Sequence, residues 1–162
     1  MDSETSAQPP RPAGRTDLVA LCQALNTESA LYVVVGGMAM IQQGFLRATE
    51  DVDLLLEGSA ENVARVRRAL EILPDKAIRE MDPDDLETYT VVRVADEIVV
   101  DLMLKTCGLS FEDARAEIEW REVDDVSIPF ASASLLVRMK QTGREKDVLD
   151  LRFLEEKLRE SG

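Results

Sequence analysis

Two carboxylates set into one apolar strand narrow the possible folds of this chain more than any other feature. The run Asp51-Val52-Asp53-Leu54-Leu55-Leu56 reads as a buried strand at every position except the acids. Residues two apart on a strand point to one face, so Asp51 and Asp53 share a face while Val52 and Leu54 share the other. Asp101 interrupts a second apolar run, Val99-Val100-Asp101-Leu102-Met103, in the same way. If the two strands are neighbours, three carboxylates converge near one end of a sheet. At about 4 Å and an effective dielectric near 20, each pair repels by roughly 4 kcal/mol, a sizeable part of the stability of a domain. A divalent cation is the simplest offset. Hard oxygen ligands suit Mg²⁺, which takes one or two carboxylates, keeps several waters and binds phosphate oxygens as well.

A complementary half lies just upstream. Residues 31–35, Leu-Tyr-Val-Val-Val, are a continuous β-branched and aromatic run closed by Gly36 and Gly37, with a short helix over 38–43 stopped by Gly44. Without side chains at Gly36 and Gly37, backbone N–H groups at a helix start can approach a phosphate. Gly-Gly alone is more often a plain turn, and it has neither the G-x-G-x-x-G nor the Gly-Lys-Ser/Thr signature. Its conjunction with the three acids is what points to a metal-bound nucleotide.

Strands and helices alternate elsewhere too. Thr16 caps a first helix with Leu18, Leu21, Cys22 and Leu25 on one stripe, ending near Asn26. Ser59 caps another, with Val63, Val66, Leu70 and Leu73 on its apolar face and Pro74 after its end. Residues 75–87 are acidic and read as irregular, whereas 88–94 and 98–104 read as an antiparallel hairpin. Ser110 and Asp113 have the form of a capping box opening a helix over 111–120, with Trp120 packed at its end. Residues 126–130 form a short strand that Pro129 assigns to an edge or a strand end. A helix from Ser132 stops at Gly143 and resumes over 144–159, with Val148, Leu151, Leu154 and Leu158 inward. The fold class that follows is α/β (α+β), a mixed β-sheet flanked by helices.

At 162 residues the chain suits one domain, with residues 1–15 as a flexible tail and 16–162 as the domain with its C-terminal helices. A net charge of −13 argues against broad, non-specific nucleic-acid binding. The absence of histidine removes His-based triads and imidazole proton shuttles, so carboxylates and cations must carry any chemistry. Cys22 and Cys107 lack metal-ligand spacing, and neither a secretory signal nor a membrane-length apolar run is present. A cytoplasmic setting fits these features.

The segments "VVVGGMAM", "RATEDVDLLL" and "VVDLM" resemble the nucleotidyltransferase superfamily that includes polymerase β. The closer resemblance is to small bacterial and archaeal members, including the AbiEii-type toxin group, because "LLVRMKQTGREKDVLDL" follows "VSIPFASA". That resemblance implies transfer of a nucleoside monophosphate from an NTP to a hydroxyl acceptor, which could be tRNA, a protein or a small molecule such as an antibiotic, with release of pyrophosphate. It implies that Asp51 and Asp53 hold two Mg²⁺ (or Mn²⁺) ions and that Asp101 shares one and helps activate the acceptor. Gly36 and Gly37 would cradle the β- and γ-phosphates, with Arg47 and Thr49 steadying the triphosphate. Lys140 is the preferred C-terminal phosphate contact, Arg144 and Lys146 are secondary, and Asp147 orients one of these cations. The acceptor would be held by a second subunit or a partner, in a homo- or hetero-oligomer. The alternative is a catalytically inactive relative that binds a nucleotide or a partner, as one half of a toxin–antitoxin pair.

Overall fold

A computed structural model describes residues 9–46, 48–141 and 144–161. Its elements, in chain order, are α1 (Arg15–Thr27), β1 (Tyr32–Val35), α2 (Gly36–Gln42), β2 (Asp51–Leu56), α3 (Ala60–Leu70), α4 (Asp85–Thr88), β3 (Val92–Ala95) and β4 (Val99–Met103). They continue with β5 (Lys105–Thr106), β6 (Leu109–Ser110), α5 (Phe111–Ala114), β7 (Ile118–Val123), β8 (Val126–Ala131), α6 (Ala133–Met139) and α7 (Glu145–Ser161). Six strands form one mixed sheet in the order β3-β4-β2-β1-β8-β7, and β5 and β6 make a small separate ribbon. Among the described residues, no helix is long and apolar enough to cross a membrane.

The centre of the sheet is apolar. All four residues of β1 are buried, as are Val52, Leu54, Leu55 and Leu56 of β2 and Val100 and Leu102 of β4. Leu18, Leu21, Cys22 and Leu25 of α1, and Val63, Val66 and Leu70 of α3, belong to the same core. Both stripes follow from the 3.6-residue period. Ser59 caps α3 by accepting from the Asn62 N–H at 3.1 Å. The Asn62 amide then donates to Leu31 O and Glu57 O and accepts from Leu31 N, which ties α3 to the start of β1.

Several expectations shift. Helix α1 begins at Arg15 rather than after the expected Thr16 cap: Gly14 takes the cap position, and the Asp17 carboxylate three residues on reaches back to accept its N–H at 2.8 Å. Residues 9–14, part of the expected tail, lie against the domain, with Arg11 N bonded to Glu97 O and Ala13 N to Glu50 O, each at 3.0 Å. The capping box at Ser110 and Asp113 forms, but its helix ends at Ala114, and Trp120 stands exposed on strand β7 rather than packed at a helix end. The sequence Ile-Glu-Trp-Arg-Glu-Val is strand-like, and Asp124 and Asp125, with φ of +49° and +67°, provide the two positive-φ positions of a type I′ hairpin turn into β8. Strand β8 is therefore interior, not an edge. It pairs with β7 over six positions but meets β1 at one bridge, Val34↔Phe130, a sparse ladder that accommodates a residue without an N–H at Pro129. Finally, α7 is rotated from the expected face: Leu154 is buried, Val148 and Leu158 are exposed, and the positions turned inward with Leu154 are Asp147 and Asp150.

Candidate active site

Strand register assembles the acids. The antiparallel pair β1–β2 sets Val35 opposite Asp53, the parallel pair β2–β4 sets Asp53 opposite Asp101, and the antiparallel pair β3–β4 sets Asp101 opposite Arg93. Directly opposed residues share a sheet face, so Asp53, Asp101 and Arg93 form one row across three strands. Asp51 joins it one pleat along β2. The sequence placed the acids together but did not anticipate Arg93.

Arg93 makes the most definite contacts in the row. Its Nε donates to Asp101 Oδ1 at 3.0 Å and its Nη2 to Asp101 Oδ2 at 3.0 Å, a bidentate fork. The same Nη2 donates to Asp51 Oδ2 at 2.9 Å. Two of the three carboxylates therefore meet on one nitrogen. Asp53 stands outside these bonds, and burial, then the nearby Asp101 and Asp51 charges, push its carboxyl up from 3.8 to about 7.

The glycine turn fits tightly against this row. Gly36 has φ +68°, and a Cβ there would lie 2.0 Å from Asp53 Oδ2. At Gly37 a Cβ would lie 2.4 Å from Thr49 Oγ1, and that hydroxyl donates to Asp51 O at 3.4 Å. Both glycines thus let another part of the chain close on the start of α2. Gly36→Ala combines a left-handed backbone, costing about 1–2 kcal/mol, with displacement of the Asp53 carboxylate. A melting temperature several degrees below wild type is expected from thermal denaturation.

Opposite the acids, Lys140 follows the last residue of α6. Its Nζ lies 3.0 Å from Asp150 and 3.4 Å from Asp147, both buried on α7. Arg144 bonds Asp147 through Nε at 2.7 Å while its side chain remains exposed. Asp147 therefore contacts both Lys140 and Arg144, and Asp150 emerges as a second anchor to which the sequence reading gave no role. Its position in "DVLDL", three residues after Asp147, was the available signal: i and i+3 share a helix face.

These groups line one cleft of about 540 Å³, which includes Gly36, Gly37, Thr49, Asp51, Asp53, Asp101, Lys140 and Arg144, with Arg93, Glu50 and Thr106 among the others. Arg47 and the side chain of Lys146 lie outside the described residues. With Arg93 drawn onto Asp51 and Asp101, no three Asp, Glu, His or Cys side chains among the described residues stand grouped as a ready ligand set. The donor chemistry nevertheless fits a hard divalent ion: carboxylate oxygens only, aligned in one row, with Asp53 carrying like-charge repulsion that the arginine fork leaves in place.

No family model matches the sequence, and no curated protein matches it. Solved structures do match in fold, among them two that align over most of this chain. One, a Thermotoga maritima protein described as a "putative nucleotidyltransferase", aligns with TM-score 0.53 and 19% identity over 86% of this chain and 91% of its own. The other, the lincosamide antibiotic adenylyltransferase LnuA with lincomycin bound, aligns with TM-score 0.56 and 16% identity over 90% of this chain and 98% of its own. Both likenesses cover more than four fifths of the chain, and the chain has the nucleotidyltransferase-like fold.

Proposed function

We propose that the chain is a metal-dependent nucleotidyltransferase that moves a nucleoside monophosphate from an NTP to a hydroxyl acceptor and releases pyrophosphate. The observation that carries this reading is the opposition, within one cleft, of the row Asp51, Asp53 and Asp101 to Lys140 and Arg144, with the Gly36–Gly37 turn beside the acids. A divalent ion bound by these carboxylates would neutralise triphosphate charge and lower the pKa of the acceptor hydroxyl. Asp51 and Asp53 would hold it, and Asp101 would share it and orient the attacking hydroxyl. The acceptor oxygen attacks the α-phosphorus, the bond to the bridging oxygen breaks, and pyrophosphate leaves with its charge facing Arg144 and Lys140. Thr49 and the glycine turn would border the phosphates.

A small-molecule acceptor suits the site better than RNA. The net charge of −13 opposes a polyanionic partner, and the neighbour LnuA, which spans a comparable length of chain, is a lincosamide antibiotic adenylyltransferase. A second reading, nucleotide or partner binding without turnover, draws on Arg93 engaging two of the three acids. Kinship with the AbiEii-type toxin group rests on the C-terminal motif alone.

The protein incubated with Mg²⁺, each of the four α-labelled NTPs and a panel of hydroxylated small molecules is expected to transfer label and release pyrophosphate, both abolished by EDTA. Nucleotide-dependent thermal stabilisation without label transfer to any acceptor would favour the second reading. No stabilisation by any NTP would remove the transferase reading and the nucleotide-binding form of the second.

A further inference from the structure

A single guanidinium bridges two acids that the transferase reading assigns to a metal. The β3–β4 register leaves Arg93 no other cross-strand partner than Asp101, and the fork closes with bonds of 3.0 Å to Asp101 and 2.9 Å to Asp51. The partners differ in their freedom to leave. The Arg93 side chain is 61% exposed and sits on the edge strand β3, whereas those of Asp51 and Asp101 are 29% and 9% exposed. Rotation of Arg93 into solvent moves a side chain that is already mostly exposed, while the carboxylates are carried by strands inside the sheet. A cation and this guanidinium therefore contend for the same oxygens, and only the guanidinium can withdraw.

We infer that Arg93 is a resident counter-cation: it holds Asp51 and Asp101 in position without metal, and its displacement sets how tightly a divalent ion binds. The inference rests on the metal-dependent reading of this site. Binding at these oxygens is open only to molecules in which Arg93 has turned away, so the apparent dissociation constant equals the intrinsic one divided by that fraction. Arg93 is a positioning residue in this scheme. After displacement its charge stays at the rim of the cleft, where an anionic triphosphate would favour it.

Titration with Mn²⁺ alone, followed by electron paramagnetic resonance of the free ion, tests this on the intact chain. Arg93→Met is expected to bind Mn²⁺ about tenfold more tightly than wild type, equivalent to about 1.4 kcal/mol, while the metal-free variant melts a few degrees lower. Arg93→Lys keeps a cation without the fork and is expected to tighten binding about threefold, which preserves the test if the methionine variant does not fold. A merely structural arginine would lower the melting temperature without raising metal affinity. Wild type and variants binding Mn²⁺ equally, or variants binding more weakly, would overturn the inference and leave the metal reading standing. No binding by wild type or variants would overturn both.

Discussion

Replacing Lys140 with methionine is expected to lower the melting temperature on the order of 10 °C, the largest loss of stability of any single substitution argued for this chain. The reason lies in burial. Asp147 and Asp150 have side chains 0% and 2% exposed, and Lys140, itself only 10% exposed, bridges them. Removing one member of a buried ion cluster leaves uncompensated charge, at about 3–5 kcal/mol. Arg144 continues to serve Asp147 in the variant, and Asp150 loses the shorter of the two lysine contacts, at 3.0 Å. The double variant Lys140→Met/Asp150→Asn should recover part of the melting temperature, because the carboxylate that Lys140 approaches most closely then carries no charge. Thermal melts of the single and double variants check this, and a double variant no more stable than the single one would show that Lys140 acts through something other than Asp150.

This prediction changes the weight of Lys140 within the site. Two carboxylates already oppose its charge, so less of it is available to a triphosphate than for a lysine in open solution. Arg144 reaches solvent at the same cleft with its Nε anchored on Asp147. Arg144→Ala is accordingly expected to raise the KM for NTP several-fold and to lower the melting temperature less than Lys140→Met, because Lys140 still faces Asp147, as steady-state kinetics and thermal melts would report. Lys140→Met should lose stability first.

The elements that the sequence revealed and those it concealed differ in one physical respect. Strand β2 was readable to the residue because its apolar pattern and its acids coincide with its structural limits, and the β3–β4 hairpin was readable from two β-branched runs around Ala95-Asp96-Glu97. Periodicity failed where polar residues occupy interior positions. Helix α7 turns Asp147 and Asp150 inward because Lys140 on a different element neutralises them, and an apolar-stripe reading has no means of seeing that partner. The strand β7 was mistaken for the continuation of a helix because its capping box is genuine, and only the two aspartates of its I′ turn marked the hairpin beyond it.

Arg93 belongs to a third category, readable in principle but passed over. A hairpin turning at Ala95-Asp96-Glu97 sets the only arginine of β3 opposite Val99, on the same face as Asp101, and the observed register, with Ala95 paired to Val99, moves it directly opposite Asp101. Pairing across that hairpin, rather than a search for further acids, would have found the cation in the row. Its presence also revises the energetic argument with which the acids were first singled out. Repulsion among the three is offset in part by the protein itself, and the remainder concentrates on Asp53, the one acid outside the arginine fork.

Asp53→Asn should therefore raise stability and abolish transfer together. The Asp53 carboxyl is pushed up to about 7 in the folded protein against an ordinary 3.8, burial being the first cause and its acidic neighbours the next. Below about pH 4 the group is protonated in folded and unfolded chains alike and contributes nothing to the difference. Between the two values the unfolded chain gives up the proton while the folded one keeps it, so stability falls as pH rises. Above 7 the folded protein carries the full penalty, roughly 4 kcal/mol by linkage. An isosteric amide escapes it. In EDTA at pH 8 the variant is expected to melt well above wild type, with the advantage shrinking as pH falls through 7 and vanishing near 4. Transfer activity should drop about a thousandfold or more, since a ligand for several kcal/mol of charge stabilisation is gone. Parallel melts across that pH range, with label-transfer assays at saturating Mg²⁺, measure both signs. A variant less stable than wild type at pH 8 would mean that Asp53 is paid for by contacts that its raised pKa does not reflect, and an active variant would remove it from the metal site altogether.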